Sequence, residues 1–195
     1  MQQLPSDPME FFVRWLAEAQ AREPRVATAM QLATVSGTTG HPSIRTVLLK
    51  GWGPEGLVFY TNLESRKAVE LDEVSDAALC FHWKSLERQV TVEGRVERVS
   101  DQDADVYFDT RPRGSKLGAW ASQQSRPRQD GELEARLAEV TARFQGGQVS
   151  RPPFWGGYCL VPTRYEFWQG YADRLHDRQV YQRSEAGWRR SRQDP

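Results

Sequence analysis

The chain has 195 residues, 38% of them hydrophobic and 27% charged; this length can bury a core without disulfides, and the composition excludes a disordered polyelectrolyte. Its 26 basic residues balance 26 acidic ones, so no whole-molecule field draws in nucleic acid and any anion site must be local. The segment before Asp7 lacks a basic stretch followed by an apolar one, and no run of about 18 apolar residues occurs, so a soluble, cytoplasmic protein without a membrane partner is expected.

Asp7, Pro8 and Glu10 supply an N-cap acceptor, a proline at the first helical position and an acidic first turn. With Phe12, Leu16 and Ala19 at helical spacing they predict a helix over 8–22. Short β-rich runs follow at 29–35, 43–50, 56–61, 77–83 and 89–99. In the last run Val90, Val92, Gly94 and Val96 alternate with Thr91, Glu93, Arg95 and Glu97, the period of a long antiparallel strand with one wet face. Helices are expected near 65–73, 101–109 and 130–144, the last carrying Leu133, Leu137, Val140 and Phe144 on one face and ending at Gly146 and Gly147. Further strand-like runs lie at 157–161, 165–168, 178–182 and 188–190. The connections are too short for repeated βαβ units, so the expectation is a mainly β, antiparallel sheet or barrel with peripheral helices, one domain over 1–195.

Cys80 and Cys159 fall inside apolar runs and are expected to be buried reduced thiols. Neither His41 nor His82 has a ligand partner at useful spacing, so no metal is expected. Dinucleotide, P-loop and nucleophile-elbow glycine motifs are lacking.

Four clusters carry the chemistry. Arg66 and Lys67 follow Ser65 at the start of the 65–73 helix, where the macrodipole is already positive; an anion held with the Thr61 and Ser65 hydroxyls would resolve this, and two solvated cations on a turn are the plain alternative. Arg45 and Lys50 interrupt an apolar run that is either buried on both faces, requiring an anionic partner, or an edge strand with its charge in water. Tyr107, Arg111, Arg113, Ser115 and Lys116 run off a helix into a loop, a second phosphate grip or else a solvated basic loop. Finally, the aromatic strand Glu166-Phe167-Trp168-Gln169 and a glycine turn lead into Arg174-Leu175-His176-Asp177-Arg178, a dense polar cluster in which Asp177 could merely pair with an arginine.

Taken in order, 45–50, Tyr60-Thr61, Ser65-Arg66-Lys67, Glu87-Arg88-Gln89, 107–115, Gln124-Ser125 and 166–178 resemble the pyridoxamine 5′-phosphate oxidase family over nearly the whole chain from Asp7. The resemblance implies an FMN-binding split β-barrel, a homodimer with FMN at the subunit interface, and a C-terminal segment from about residue 154 that serves dimer and active site. It implies cofactor contacts from Arg45, Thr46, Val47, Leu48, Leu49, Lys50, Tyr60, Thr61, Arg66, Lys67, Gln89, Gln124 and Ser125, with Trp168 and Arg178 reaching the flavin from near the C-terminus. Lys50, Tyr107, Arg111 and Ser115 resemble the holders of the substrate phosphate, and Arg174 and His176 the catalytic pair beside the reacting carbon. The implied reaction oxidises pyridoxamine or pyridoxine 5′-phosphate to pyridoxal 5′-phosphate, with dioxygen giving hydrogen peroxide. The rivals are a related flavin oxidase of a phenazine precursor and a non-catalytic flavin- or pyridoxal-phosphate-binding protein. The chain departs from the family in its short arm before Asp7 and in its tail, Arg192-Gln193-Asp194-Pro195, where a leucine usually follows the arginine.

Overall fold

The computed structural model describes residues 4–195. Helix α1 (Pro8–Arg22) begins where expected, the Asp7 carboxylate accepting the Met9 N–H at 2.9 Å. Its buried face carries Phe11, Phe12, Trp15, Leu16 and Ala19. Phe11 stacks on Phe167 with ring centroids 4.3 Å apart, and Phe12 packs on Phe81 at 5.1 Å, which pins the helix across the sheet.

Nine strands form that sheet: β1 (Ala29–Val35), β2 (Pro42–Leu48), β3 (Gly51–Gly53), β4 (Gly56–Asn62), β5 (Asp76–Trp83), β6 (Arg88–Arg98), β7 (Trp155–Gln169), β8 (Asp177–Ser184) and β9 (Gly187–Gln193). The main path runs β2-β1-β5-β6-β7-β4-β3, with β8 joined to β7 and β9 to β8. Every pairing is antiparallel, so the mainly β, antiparallel expectation holds. The helices α2 (Arg66–Glu73), α3 (Asp101–Thr110), α4 (Arg113–Ala121) and α5 (Glu132–Arg143) lie in the connections. Among the described residues no helix is long and apolar enough to cross a membrane.

β7 organises the rest. The two runs expected at 157–161 and 165–168 are one strand, because the register shift between Glu93 and Gly94 accommodates Pro162 opposite. Along one side β7 pairs with β6; on the other, its N-terminal half pairs with β4 and its C-terminal half with β8. A Cβ on residue 94 would lie 2.1 Å from the Val161 carbonyl oxygen, so only glycine fits at the bulge.

Four readings are decided or adjusted. Of the two left open for the 43–50 run, the edge strand holds: β2 ends the sheet, with Ile44 68% and Leu48 46% exposed, while Arg45 turns inward. The basic stretch after α3 is a loop only at Arg111 and Pro112 and then becomes α4. Two glycines speak against a helix there, but burial of Leu117 and Ala121 outweighs that preference. The apolar stripe of α5 is not buried; the helix lies beside α4, with Arg136 Nε donating to the Ala121 carbonyl at 2.9 Å. Cys80 and Cys159 are free but only half-buried.

Candidate functional site

A cavity of about 970 Å³ opens where the β2 edge, the end of β4, the start of α2 and the α3–α4 junction meet. Its volume is at the upper end of the roughly 300–1,000 Å³ range of small-molecule pockets. β2 and the residues after it contribute Arg45, Thr46, Val47, Leu48 and Lys50, and β4 contributes Tyr60 and Thr61. Arg66 and Lys67 come from the first turn of α2, Tyr107 from α3, Arg111 from the junction after it, Ser115 from α4, and Gln124 and Ser125 from the loop beyond. Leu49 turns into the core instead, its N–H bonded to the Thr28 carbonyl.

Two cationic centres occupy this cavity. At the first, Lys67 Nζ donates to Thr61 Oγ1 at 3.1 Å, Ser65 Oγ at 3.1 Å and Gln124 Oε1 at 2.9 Å, all of them neutral oxygens. Burial, and secondly the neighbouring Arg45 charge, bring its ammonium down to about 8. Arg45 and Arg66 flank it, both ion-paired to Glu70 at 3.1 and 2.7 Å. Burial alone would push the Glu70 carboxyl up, but bonds donated by Ser43, Thr34, Arg66 and Arg45 outweigh it and hold the group at about 2.

At the second centre the Arg111 guanidinium lies 4.8 Å from the Trp155 ring and 5.3 Å from Phe108. Its Nη1 is, among the described residues, the one buried side-chain nitrogen or oxygen without a hydrogen-bond partner. Burial draws the group below the usual arginine range. Tyr107 stacks on Tyr60 at 4.1 Å and Tyr60 on Trp155 at 5.2 Å, an aromatic stack lining the cavity. Trp155 escaped the sequence reading; only the pairing of Asn62 with Trp155 brings it here.

The remaining candidates form a second group. Gln89, Trp168 and Arg178 face one another across β6, β7 and β8, and the Trp168 ring lies 4.7 Å from that of His176. His176 Nδ1 accepts the Tyr171 N–H at 3.2 Å. Asp173 and Arg174 hold positive φ angles of 57° and 59°, strained for residues with a Cβ, on an exposed turn. Arg178 donates to Glu166 through Nε at 2.9 Å and to the Asp194 carbonyl at 3.1 Å, while Asp177 pairs with Arg192 at 2.7 Å. The unusual tail therefore packs against this cluster. Trp155 and Trp168 stand at opposite ends of β7, separated by roughly 40 Å of extended strand at about 3.3 Å per residue.

Comparison with known proteins gives the family. Residues 16–144 match the family described as pyridoxamine 5′-phosphate oxidase, and residues 155–195 the pyridoxine 5′-phosphate oxidase C-terminal dimerisation region. The chain belongs to the pyridoxamine 5′-phosphate oxidase family. Pyridoxine/pyridoxamine 5′-phosphate oxidases of Sphingopyxis alaskensis and Rubrobacter xylanophilus are 53% and 54% identical to it, over 95% and 97% of this chain and 86% and 87% of theirs. Among solved structures, PhzG of Burkholderia lata, in complex with tetrahydrophenazine-1-carboxylic acid, superposes with a TM-score of 0.91 at 32% identity, covering 98% of this chain and 94% of that one. A pyridoxamine 5′-phosphate oxidase-related, FMN-binding protein of Nostoc punctiforme gives 0.75 at 19% identity over 98% and 100% of the two chains, a likeness of fold. Membership of this family makes the chain an oxidoreductase and its sheet the expected split barrel.

Proposed function

We propose that the chain oxidises pyridoxamine 5′-phosphate and pyridoxine 5′-phosphate to pyridoxal 5′-phosphate, with FMN as cofactor and dioxygen as acceptor, releasing hydrogen peroxide and, from the amine, whose oxidation product water hydrolyses, ammonia. The observation that carries this reading is the presence of two anion grips in one cavity, one around Lys67 and one around Arg111. A buried ammonium with only neutral partners and a buried guanidinium nitrogen with none are each satisfied by a phosphate. The donor set fits a flavin mononucleotide: Arg45, Arg66, Lys67, Thr61, Gln124 and Ser125 would hold its phosphate and the adjoining chain. When bound, FMN supplies the hydride acceptor for the carbon bearing the amine or alcohol and returns the electrons to dioxygen.

The protein's own part is positional. Lys50, Arg111 and Ser115 would anchor the substrate phosphate, remote from the reacting carbon, so that binding energy fixes the ring's distance and angle. Arg174 and His176 would align the reacting carbon, and Gln89, Trp168 and Arg178 would contact the flavin. The length of β7 keeps these five away from the cavity of their own chain, which supports a homodimer in which each cavity is completed by the partner subunit. The superposition on PhzG favours a second reading, oxidation of a reduced phenazine carboxylic acid; with FMN at the Lys67 centre in either case, a carboxylate offers Lys50, Arg111 and Ser115 fewer acceptor oxygens than a phosphate.

Anaerobic mixing of the yellow holoprotein with each candidate tests the choice. Bleaching of the flavin by the two pyridine phosphates, and not by a reduced phenazine carboxylate, is expected; the reverse pattern overturns the assignment. Release of FAD, or of no flavin, from the purified protein would overturn the cofactor.

A further inference from the structure

Glu70 is almost fully buried and does not line the large cavity, yet it touches both arginines that do. Its two oxygens divide the work. Oε1 receives Arg66 Nε from one helical turn earlier at 2.7 Å. Oε2 receives Arg45 Nη2 from the edge strand at 3.1 Å, together with the hydroxyls of Thr34 at 2.5 Å and Ser43 at 2.6 Å. The two neutral donors fix the carboxylate from the sheet side. The arginines hold it from the cavity side: Arg66, bonded through Nε, keeps both Nη groups for another acceptor, while Arg45, whose Nη groups are also held by the Leu32 carbonyl and the Thr34 and Ser43 hydroxyls, keeps its Nε–H.

We propose that Glu70 is a positioning residue: by bridging Arg45 and Arg66 it aims both guanidiniums at the phosphate end of the flavin. The inference rests on the reading of the Lys67 centre as the flavin phosphate site. Two like charges brought from different elements repel one another and would swing apart into solvent, and Arg66 is already 62% exposed. A carboxylate between them removes that repulsion and sets their planes. Lys67 makes its own hydrogen bonds only to neutral oxygens, so no carboxylate takes the ligand's place against it. A buried carboxylate is a poor device for stability alone, since well-packed apolar side chains serve as well or better. Its value here lies in the geometry it imposes on its donors.

The test compares FMN with riboflavin, which lacks the phosphate, in equilibrium binding to the full chain freed of flavin, followed by quenching of flavin fluorescence. Glu70→Gln should weaken FMN binding about ten-fold or more, as loss of a charge-assisted contact does. Riboflavin binding should stay within about two-fold, the scatter of uncoupled sites. A merely structural role would weaken both ligands alike, and that result, or no change in either, overturns the proposal. Glu70→Asp keeps the charge but shortens its reach, and should show the same selective loss to a smaller extent; it decides the question if the Gln variant does not fold. Lys67→Ala serves as the reference. If it leaves the preference for FMN over riboflavin intact, the phosphate reading itself fails. If it abolishes that preference while both Glu70 variants retain it, only the role of Glu70 fails.

Discussion

Arg111 carries a charge against the rings of Phe108 and Trp155, where its Nη1 meets no acceptor, and an unsatisfied buried group of this kind costs roughly 1 to 3 kcal/mol. A substrate phosphate recovers that cost, so Arg111→Ala should raise KM for pyridoxine 5′-phosphate about ten- to a hundred-fold with flavin content unchanged. His176→Ala should instead lower kcat if the histidine serves alignment as proposed; steady-state kinetics on flavin-loaded variants separates the two, and an unchanged KM for the Arg111 variant returns that stretch to an ordinary basic turn. Lys67 makes a prediction in pH. Burial and the Arg45 charge depress its ammonium from 10.5 to about 8, so the folded, flavin-free protein is destabilised while Lys67 is charged and gains stability as pH rises from about 8 toward 10.5. Flavin affinity runs the opposite way, since the phosphate needs the charged lysine: it should fall as pH rises through about 8, and Lys67→Met should remove that step from the binding curve. A pH-independent affinity between 7 and 9 in the unmodified protein would contradict the role assigned to Lys67.

Elements differ in how much of their position is written locally. Asp7, Pro8 and Glu10 mark the start of α1 to the residue, and β1 and the alternating β6 are equally plain, because capping and period-two burial act over a few neighbours. The bulge at Gly94 is not local; it exists because β6 and β7 pair along their whole length with one residue out of step. Gly94→Ala would force a Cβ onto the Val161 carbonyl and should cost about 1 to 3 kcal/mol, a fall in melting temperature of roughly 2 to 12 °C for a chain of this size; a melt superimposable on the original would mean the strands can slide apart freely. α4 was illegible for a similar reason, since Gly114 and Gly118 weaken it alone and only tertiary burial of Leu117 and Ala121 supports it. The site was legible as a set of charged strings and illegible as an arrangement. Glu70 reads as an ordinary partner of Arg66 one turn away until Thr34, Ser43 and Arg45 arrive from other strands. No local pattern says that Trp155 and Trp168 end up at opposite ends of one strand.

At the scale of the whole molecule that separation bears on the proposed assembly. The cavity sits where β7 pairs with β4, and the Arg174–His176 turn sits past its other end, beside β8, so under the proposed function one chain would present half a site at each end of the sheet. A C2 dimer would pair each half with its complement in the second copy, and the C-terminal 155–195 segment, a dimerisation region in its family, would carry the turn half. Two defective variants can then repair one another. Arg111→Ala spoils the cavity and spares the turn, whereas His176→Ala spares the cavity and spoils the turn. In a mixed dimer the two spared halves meet in one site and the two spoiled halves in the other. If the variants are co-expressed and associate at random, half of the dimers are mixed and each has one intact site of two, so the preparation should recover about a quarter of the unmodified activity at low substrate concentration. Separately tagged subunits, purified through both tags, should reach about half. If the mixed dimer shows no more activity than the average of its two parents, the turn serves the cavity of its own chain, and β7 does not divide the site between subunits.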